Sequence, residues 1–166
     1  MFQTRTKMNR PNIDISVIVV NYNRSSYIER CLRSCIDQVL FNKTFEVIFI
    51  DDASKDNSFE IAKKFRSSIR LFKLKKNKGI SYASNFAIKK SNGRYFIRVD
   101  SDDYINKHTI DFMSEILSKN QNVAFVYCDH YRVDECGNIE KIVRLKNKKI
   151  LKNHGAGIMF NKKIFK

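Results

Sequence analysis

Between Ile13 and Val99 the sequence alternates short, almost wholly apolar runs with stretches whose apolar residues recur on one side of a helix. That alternation restricts the fold more than any other feature. Ile13–Val20 is rich in β-branched residues, as expected of a strand buried on both faces of a parallel sheet. Ser26-x-x-Glu29 reads as a capping box opening a helix in which Ile28, Cys31, Leu32, Cys35, Ile36 and Val39 follow the i, i+3, i+4, i+7 series. A second strand, Phe45–Ile50, ends in Asp51-Asp52, and a polar turn leads into a short helix with Phe59, Ala62 and Phe65 inward. Ile69–Leu74 is a third strand, Ile80–Lys90 a third helix closed by Asn92-Gly93, and Arg94–Val99 a fourth strand. Three strand–helix repeats at spacings suited to right-handed crossovers predict an α/β fold: an open, mostly parallel, twisted sheet with helices on both faces. Beyond Asp103 the pattern predicts a helix over Lys107–Lys119, a strand over Val123–Cys128, and a hairpin over Tyr131–Leu145 turning at Cys136-Gly137-Asn138. With 166 residues, no internal repeat and no linker, one domain over 13–166 is expected behind a basic N-terminal extension at 1–12.

Several classes of protein are excluded by what is missing. The longest apolar runs have the length of strands, far below the roughly 18 residues of a membrane-spanning helix. Residues 1–12 are polar and basic, without the apolar stretch of a secretory signal. A cytoplasmic protein with reduced thiols is therefore expected. Cys31 and Cys35 lie on the apolar side of a helix and pack as small hydrophobes. Cys128, His130 and Cys136 lack the C-x-x-C pair and the fourth ligand of a zinc site. Charge is the positive clue: 32 Lys+Arg stand against 17 Asp+Glu, a net charge of +15. Eight basic residues and no acid fall between Lys63 and Lys78, and nine basic residues but no acid follow Glu140. Such a field attracts nucleic acid, anionic lipid headgroups or phosphorylated substrates. A compositional bias toward Lys, Asn, Ile and Phe explains the excess equally well.

Ligands of open α/β sheets bind at the carboxyl ends of the strands. Three such ends can be read here: Asn21-Tyr22-Asn23, Asp51-Asp52, and Asp100-Ser101-Asp102-Asp103. Five carboxylates at one edge repel one another unless a cation lies between them. Asp-x-Asp just past a strand turns two carboxylates toward one hard cation, Mg2+ or Mn2+, which keeps positions open for phosphate oxygens. A lone Asp-x-Asp is more simply a solvated turn; a second acidic strand end in the same sheet favours the cation. The first turn has no glycine, so no dinucleotide fingerprint exists, and neither a P-loop nor a serine-hydrolase elbow occurs. Any nucleotide is then held chiefly through carboxylates and a metal.

Val17–Asn23 (VIVVNYN), Glu46–Ser58 (EVIFIDDASKDNS) and Asn77–Ile105 (NKGISYASNFAIKKSNGRYFIRVDSDDYI) resemble, in order and spacing, the N-terminal signatures of family-2 glycosyltransferases. The resemblance implies the GT-A fold, a Rossmann-like α/β nucleotide-sugar domain. It implies that Val20, Asn21 and Tyr22 contact the nucleotide base, with Tyr22 stacked on it. Asp52 would hydrogen-bond the base and Asp51 support that loop. Asn77, Gly79 and Asn85 match a segment beside the nucleotide, although Ser84 stands where an arginine often precedes the asparagine. Asp100 and Asp102 match the Asp-x-Asp, with Asp102 the direct ligand of Mn2+ or Mg2+ and Asp100 near the ribose or reaching the metal through water.

The same resemblance implies that an acceptor hydroxyl attacks the anomeric carbon in one inverting step, after an Asp or Glu removes its proton. In the family that base lies past a segment which Gly155–Lys166 resembles. No acid follows Glu140, so the base is expected to be absent, along with the acceptor part, and the C-terminal hairpin region to be incomplete. Asp129, Asp134 and Glu135 read as solvated turn residues, and His154 as incidental or as reaching the metal or the acceptor side. The expected function is metal-dependent transfer of a sugar from a nucleotide-diphosphate sugar, commonly a UDP-sugar, to a saccharide or lipid-linked acceptor in cell-envelope or surface polysaccharide synthesis. Its basic surface would hold it peripherally at the inner face of the membrane. Two alternatives are a nucleotide-sugar binder without catalysis and a basic nucleic-acid module. The latter lacks any recognition motif, and its acidic strand ends would repel phosphates, so no nucleic-acid partner is expected.

Overall fold

A computed structural model describes residues 12–145 and 157–164 of the chain. Residues 1–11, and with them most of the expected N-terminal extension, lie outside the described residues, as do His154, Gly155 and Ala156. The elements run β1 (Ile15–Asn21), α1 (Ser25–Ile36), β2 (Phe45–Asp51), α2 (Ser58–Lys63), β3 (Arg70–Lys73), α3 (Ile80–Lys90), β4 (Tyr95–Asp100), α4 (Thr109–Lys119), β5 (Phe125–Tyr127), β6 (His130–Val133), β7 (Ile139–Val143) and β8 (Ile158–Asn161). Six strands form one sheet in the order β3-β2-β1-β4-β8-β5, and β6-β7 make a separate hairpin. β1 pairs in parallel with both β2 and β4. All seven of its residues are buried, which is why the run reads as apolar without alternation.

Helices cover both faces. On one side Ile28, Cys31, Leu32 and Cys35 of α1, Ala62 of α2 and Ile110, Met113 and Leu117 of α4 pack against Val17, Val19 and Phe49. On the other, Ala83 and Ala87 of α3 meet Ile18, Val20, Ile48 and Ile50. A fully buried Leu32 or Phe49 contributes roughly 1.5–3 kcal/mol over its exposed state. The register places Asn21 opposite Asp51 and Val20 opposite Asp100, so the ends of β1, β2 and β4 lie side by side at one edge.

Three local expectations change. Ile158–Asn161, unmarked as a strand in the sequence, inserts antiparallel between β4 and β5, with Phe160 stacked 5.1 Å from Phe96. The sheet is therefore mixed. The capping box does not close: α1 starts at Ser25 with no side-chain cap, and Glu29 pairs with Arg33 at 2.7 Å instead. Its first N–H groups are served from across the fold, Ser25 N–H donating to Asp56 and Arg24 N–H to Ser58 Oγ. Gly93, read as a helix stop, is instead required by close approach. A Cβ there would lie 2.5 Å from the Ser16 amide nitrogen, and its own N–H donates to Ser16 Oγ.

Candidate functional site

The aligned strand ends open a cleft of about 490 Å3 bordered by Val20, Tyr22, Asp52, Asn77, Gly79, Asp100 and Asp102. Seven of the residues expected at the site thus meet, although they come from three strand ends and the start of α3. Alternation along the strand accounts for which ones do. Val20 and Tyr22 face the cleft, whereas Asn21 between them is fully buried and donates to Asp51 Oδ1 and Ser54 Oγ. Asp51 is fully buried too, its second oxygen accepting from Ser54 N–H. Asn21 and Asp51 therefore stand behind the cleft wall and hold its loop. Asn85 does not reach the cleft either. It is an exposed residue of α3, about 200° around the helix from the buried Ala83.

Asp52, 2% exposed, is clamped. Its two oxygens accept from the backbone N–H groups of Lys78 and Gly79, each at 2.8 Å. Ala53, in the left-handed region at φ 62°, turns the chain between Asp51 and Ser54. Gly79 has φ 83° and ψ 160°, a conformation essentially confined to glycine, and it delivers its N–H to Asp52 as α3 begins. This explains in backbone terms why glycine stands at that position. Ser84, where the family often has arginine, has a buried hydroxyl with no hydrogen-bond partner.

The other wall carries the charges that need partners. Asp100 has Arg98 Nε 3.1 Å from its Oδ1, an ion-pair distance without the alignment of a hydrogen bond. Burial pushes the Asp100 carboxyl above the usual carboxylate range; Arg98 opposes the rise, and the like charge of Asp102 adds to it. Asp102 is half-exposed and pairs with Arg24 Nε at 3.2 Å. Among the described residues no group of three or more His, Cys, Asp or Glu side chains forms a metal cage. Mg2+ and Mn2+ do not require one when substrate phosphates complete the shell. A buried carboxylate oxygen without a hydrogen bond, beside a second carboxylate open to the cleft, fits such a cation. The five acids do not all converge: Asp51 and Asp52 are satisfied by amide and N–H donors, and Asp103 faces a neighbouring groove that also holds Tyr27 and Tyr131.

A model of glycosyl transferase family 2 matches residues 16–166. The chain belongs to that family. Among relatives of this family-2 chain, the Escherichia coli chondroitin synthase is 32% identical over 128 residues, covering 75% of the chain and 18% of the synthase. The poly(ribitol-phosphate) beta-N-acetylglucosaminyltransferase TarS of Staphylococcus aureus is 40% identical over 98 residues, 57% of the chain and 17% of TarS. The chain thus spans under a fifth of the length of these relatives. In three dimensions, crystallised TarS 1–349 in complex with UDP superposes with a TM-score of 0.72 at 26% identity, over 90% of this chain and 47% of that one. A structure of TarS 1–349 holds UDP-GlcNAc and matches equally well, at 27% identity. A Pyrobaculum calidifontis mannosyltransferase in complex with GDP-Man and Mn2+ shares the fold at 20% identity, with a TM-score of 0.68. The mixed sheet with helices on both faces is the GT-A architecture expected for the family.

Arg24, Ser101 and Ile80 also border the cleft and were not singled out from the sequence. Each carried a signal. Arg24 follows the Asn-Tyr-Asn turn, Ser101 sits inside the Asp-x-Asp, and Ile80 follows Gly79 directly. Cys31 and Cys35 are buried on the apolar side of α1, as expected, and Cys128 and Cys136 are exposed. Asp134 accepts from the backbone and side chain of Asn138, as a hairpin-turn residue does. Among the described residues no helix is long and apolar enough to cross a membrane.

Proposed function

We propose that the chain binds a nucleotide-diphosphate sugar, with a uridine nucleotide the first choice, and presents its sugar for transfer with inversion to a saccharide or lipid-linked acceptor in surface polysaccharide synthesis. The observation that carries this reading is the cleft itself. A half-exposed aromatic ring (Tyr22) and the turn at Asn77–Gly79, clamped by Asp52, line one end, and the Asp100–Asp102 pair lines the other. That spacing of apolar, amide and anionic groups suits a base, a ribose and a metal-bound diphosphate in turn. UDP and UDP-GlcNAc in the TarS structures, and the chondroitin and poly(ribitol-phosphate) polymers named for the relatives, support the same donor class and a polymeric acceptor.

On this reading Tyr22 stacks on the base against the apolar floor at Val20, and Asp52 orders the turn that shapes the base end. Asn21 and Asp51 keep the loop beneath it in place, and Asn77 and Gly79 border the nucleotide. Asp102, with Asp100 behind it, holds the divalent cation. When bound, Mn2+ or Mg2+ neutralises the diphosphate and stabilises it as a leaving group. The net charge of +15 favours peripheral attachment to an anionic membrane surface where lipid-linked acceptors reside. Calorimetric titration of UDP, with Mn2+ and then with EDTA, tests the core of the proposal. Binding is expected with Mn2+, and not after chelation or in Asp102→Ala. Metal-independent binding, or full binding by Asp102→Ala, would overturn it.

A further inference from the structure

The β1–α1 loop is bound along its backbone yet carries a half-exposed arginine side chain. Asn23 N–H donates to Ser54 Oγ at 3.0 Å, Arg24 N–H to Ser58 Oγ at 3.1 Å and Ser25 N–H to an Asp56 carboxylate oxygen at 2.9 Å. The Arg24 side chain, by contrast, is 49% exposed. Its Nε meets Asp102 Oδ2 at 3.2 Å, and among the described residues its other polar contact is a long one, 3.4 Å from Nη1 to the Asn23 carbonyl. The guanidinium stands where the cleft and the neighbouring groove meet, bordering both. Arg98 differs: its side chain is 20% exposed, beside Asp100 at the end of β4.

We propose that Arg24 is the resting counter-ion of Asp102 and becomes a ligand of the donor diphosphate once a divalent cation displaces it. This rests on the nucleotide-sugar reading above. A divalent cation arriving at Asp102 competes with the guanidinium for its carboxylate, because the two positive charges repel at close range. An exposed ion pair is weak enough to be displaced. The freed guanidinium remains tethered at the cleft by its fixed backbone. It then faces the anion that arrives with the metal, and its planar fork matches two phosphate oxygens. Arg24 would thus screen the acidic loop when the site is empty and hold the diphosphate when it is filled.

The test measures two affinities that move in opposite directions. Calorimetry of MnCl2 alone, then of UDP at saturating Mn2+, is run on wild type, Arg24→Gln, Arg24→Lys and Asp102→Ala. Arg24→Gln is expected to bind Mn2+ about two- to fivefold more tightly, having lost a weak competitor. It is expected to bind UDP with Mn2+ roughly tenfold more weakly, having lost a charge-assisted contact. Arg24→Lys should keep the wild-type Mn2+ affinity and still bind UDP more weakly, because an ammonium lacks the fork. A purely structural role for Arg24 would weaken both affinities together. Unchanged or weaker Mn2+ binding by Arg24→Gln, or unchanged or tighter UDP binding, overturns the role of Arg24. Failure of the wild type to bind UDP with Mn2+, or full binding by Asp102→Ala, overturns the nucleotide-sugar reading and this role with it.

Discussion

At the scale of single residues, the cleft depends on backbone that only certain side chains permit. Gly79 has open space where a Cβ would go, so its requirement is conformational and not steric. Gly79→Ala should cost about 1–3 kcal/mol in urea unfolding and lower UDP affinity as the turn pulls its N–H from Asp52. A variant with wild-type stability would show that the turn tolerates a left-handed alanine. Tyr22, 41% exposed, contributes little to the core. Tyr22→Ala should therefore leave the melting temperature nearly unchanged while weakening UDP about tenfold through lost stacking. Equal loss of both would assign Tyr22 to folding instead. Residue types were legible in the sequence; their directions were not. Asn21 looks like a ligand at its strand end and Asp51 like a support for the loop after it; the pleat, set by neighbouring strands, turns Asn21 inward onto Asp51.

At the scale of elements, one carboxylate joins several of them at the opposite end of the sheet. Glu46 of β2 accepts from Ser16 Oγ on β1 at 2.7 Å, from Arg70 on β3 at 2.6 Å and from Asn92 N–H beyond α3 at 2.6 Å. Burial raises its carboxyl, but the Asn92 N–H, the Ser16 hydroxyl and Arg70 together bring it below the ordinary glutamate value. A lowered folded-state pKa means that its stabilisation is complete above the unfolded value, about 4.3, and is lost as pH falls through the folded one. Glu46→Gln should be less stable by roughly 2–3 kcal/mol at neutral pH, with the gap closing in acid, measured as urea midpoints across that range. A pH-independent gap would mean that the charge plays no part. Gly93→Ala, which drives a methyl into the backbone of β1, should lose about 3 kcal/mol or fail to fold. Wild-type thermal stability in that variant would contradict the contact. The elements from β1 to α4 were readable because they follow from local periodicity, but their ends were less so: α1 stops at Ile36 and leaves Val39, expected on its apolar side, exposed. The slot of β8 was not readable, since four residues flanked by no helical pattern acquire strand character only from β4 and β5 on either side.

At the scale of the whole molecule, a net charge of +15 coexists with an anionic cleft, so the surface field and the site have opposite signs. Co-sedimentation with vesicles containing anionic lipid is expected at low salt. It should fall steeply once the Debye length shrinks to about 8 Å, and binding that ignores salt would exclude headgroup attraction. By itself the sequence determined the alternating elements, the doubly covered sheet, the family, and the three strand ends where chemistry gathers. These are carried by spacing within short windows, through the pleat of two and the helical turn of 3.6 residues. Only the tertiary structure decided that Asp52 clamps the Gly79 turn, that Asn21 turns behind the wall onto Asp51, that Arg24 sits on Asp102, and that β8 enters the sheet. Each of those depends on groups distant in the chain sharing one edge of the sheet, and no window of sequence contains both partners.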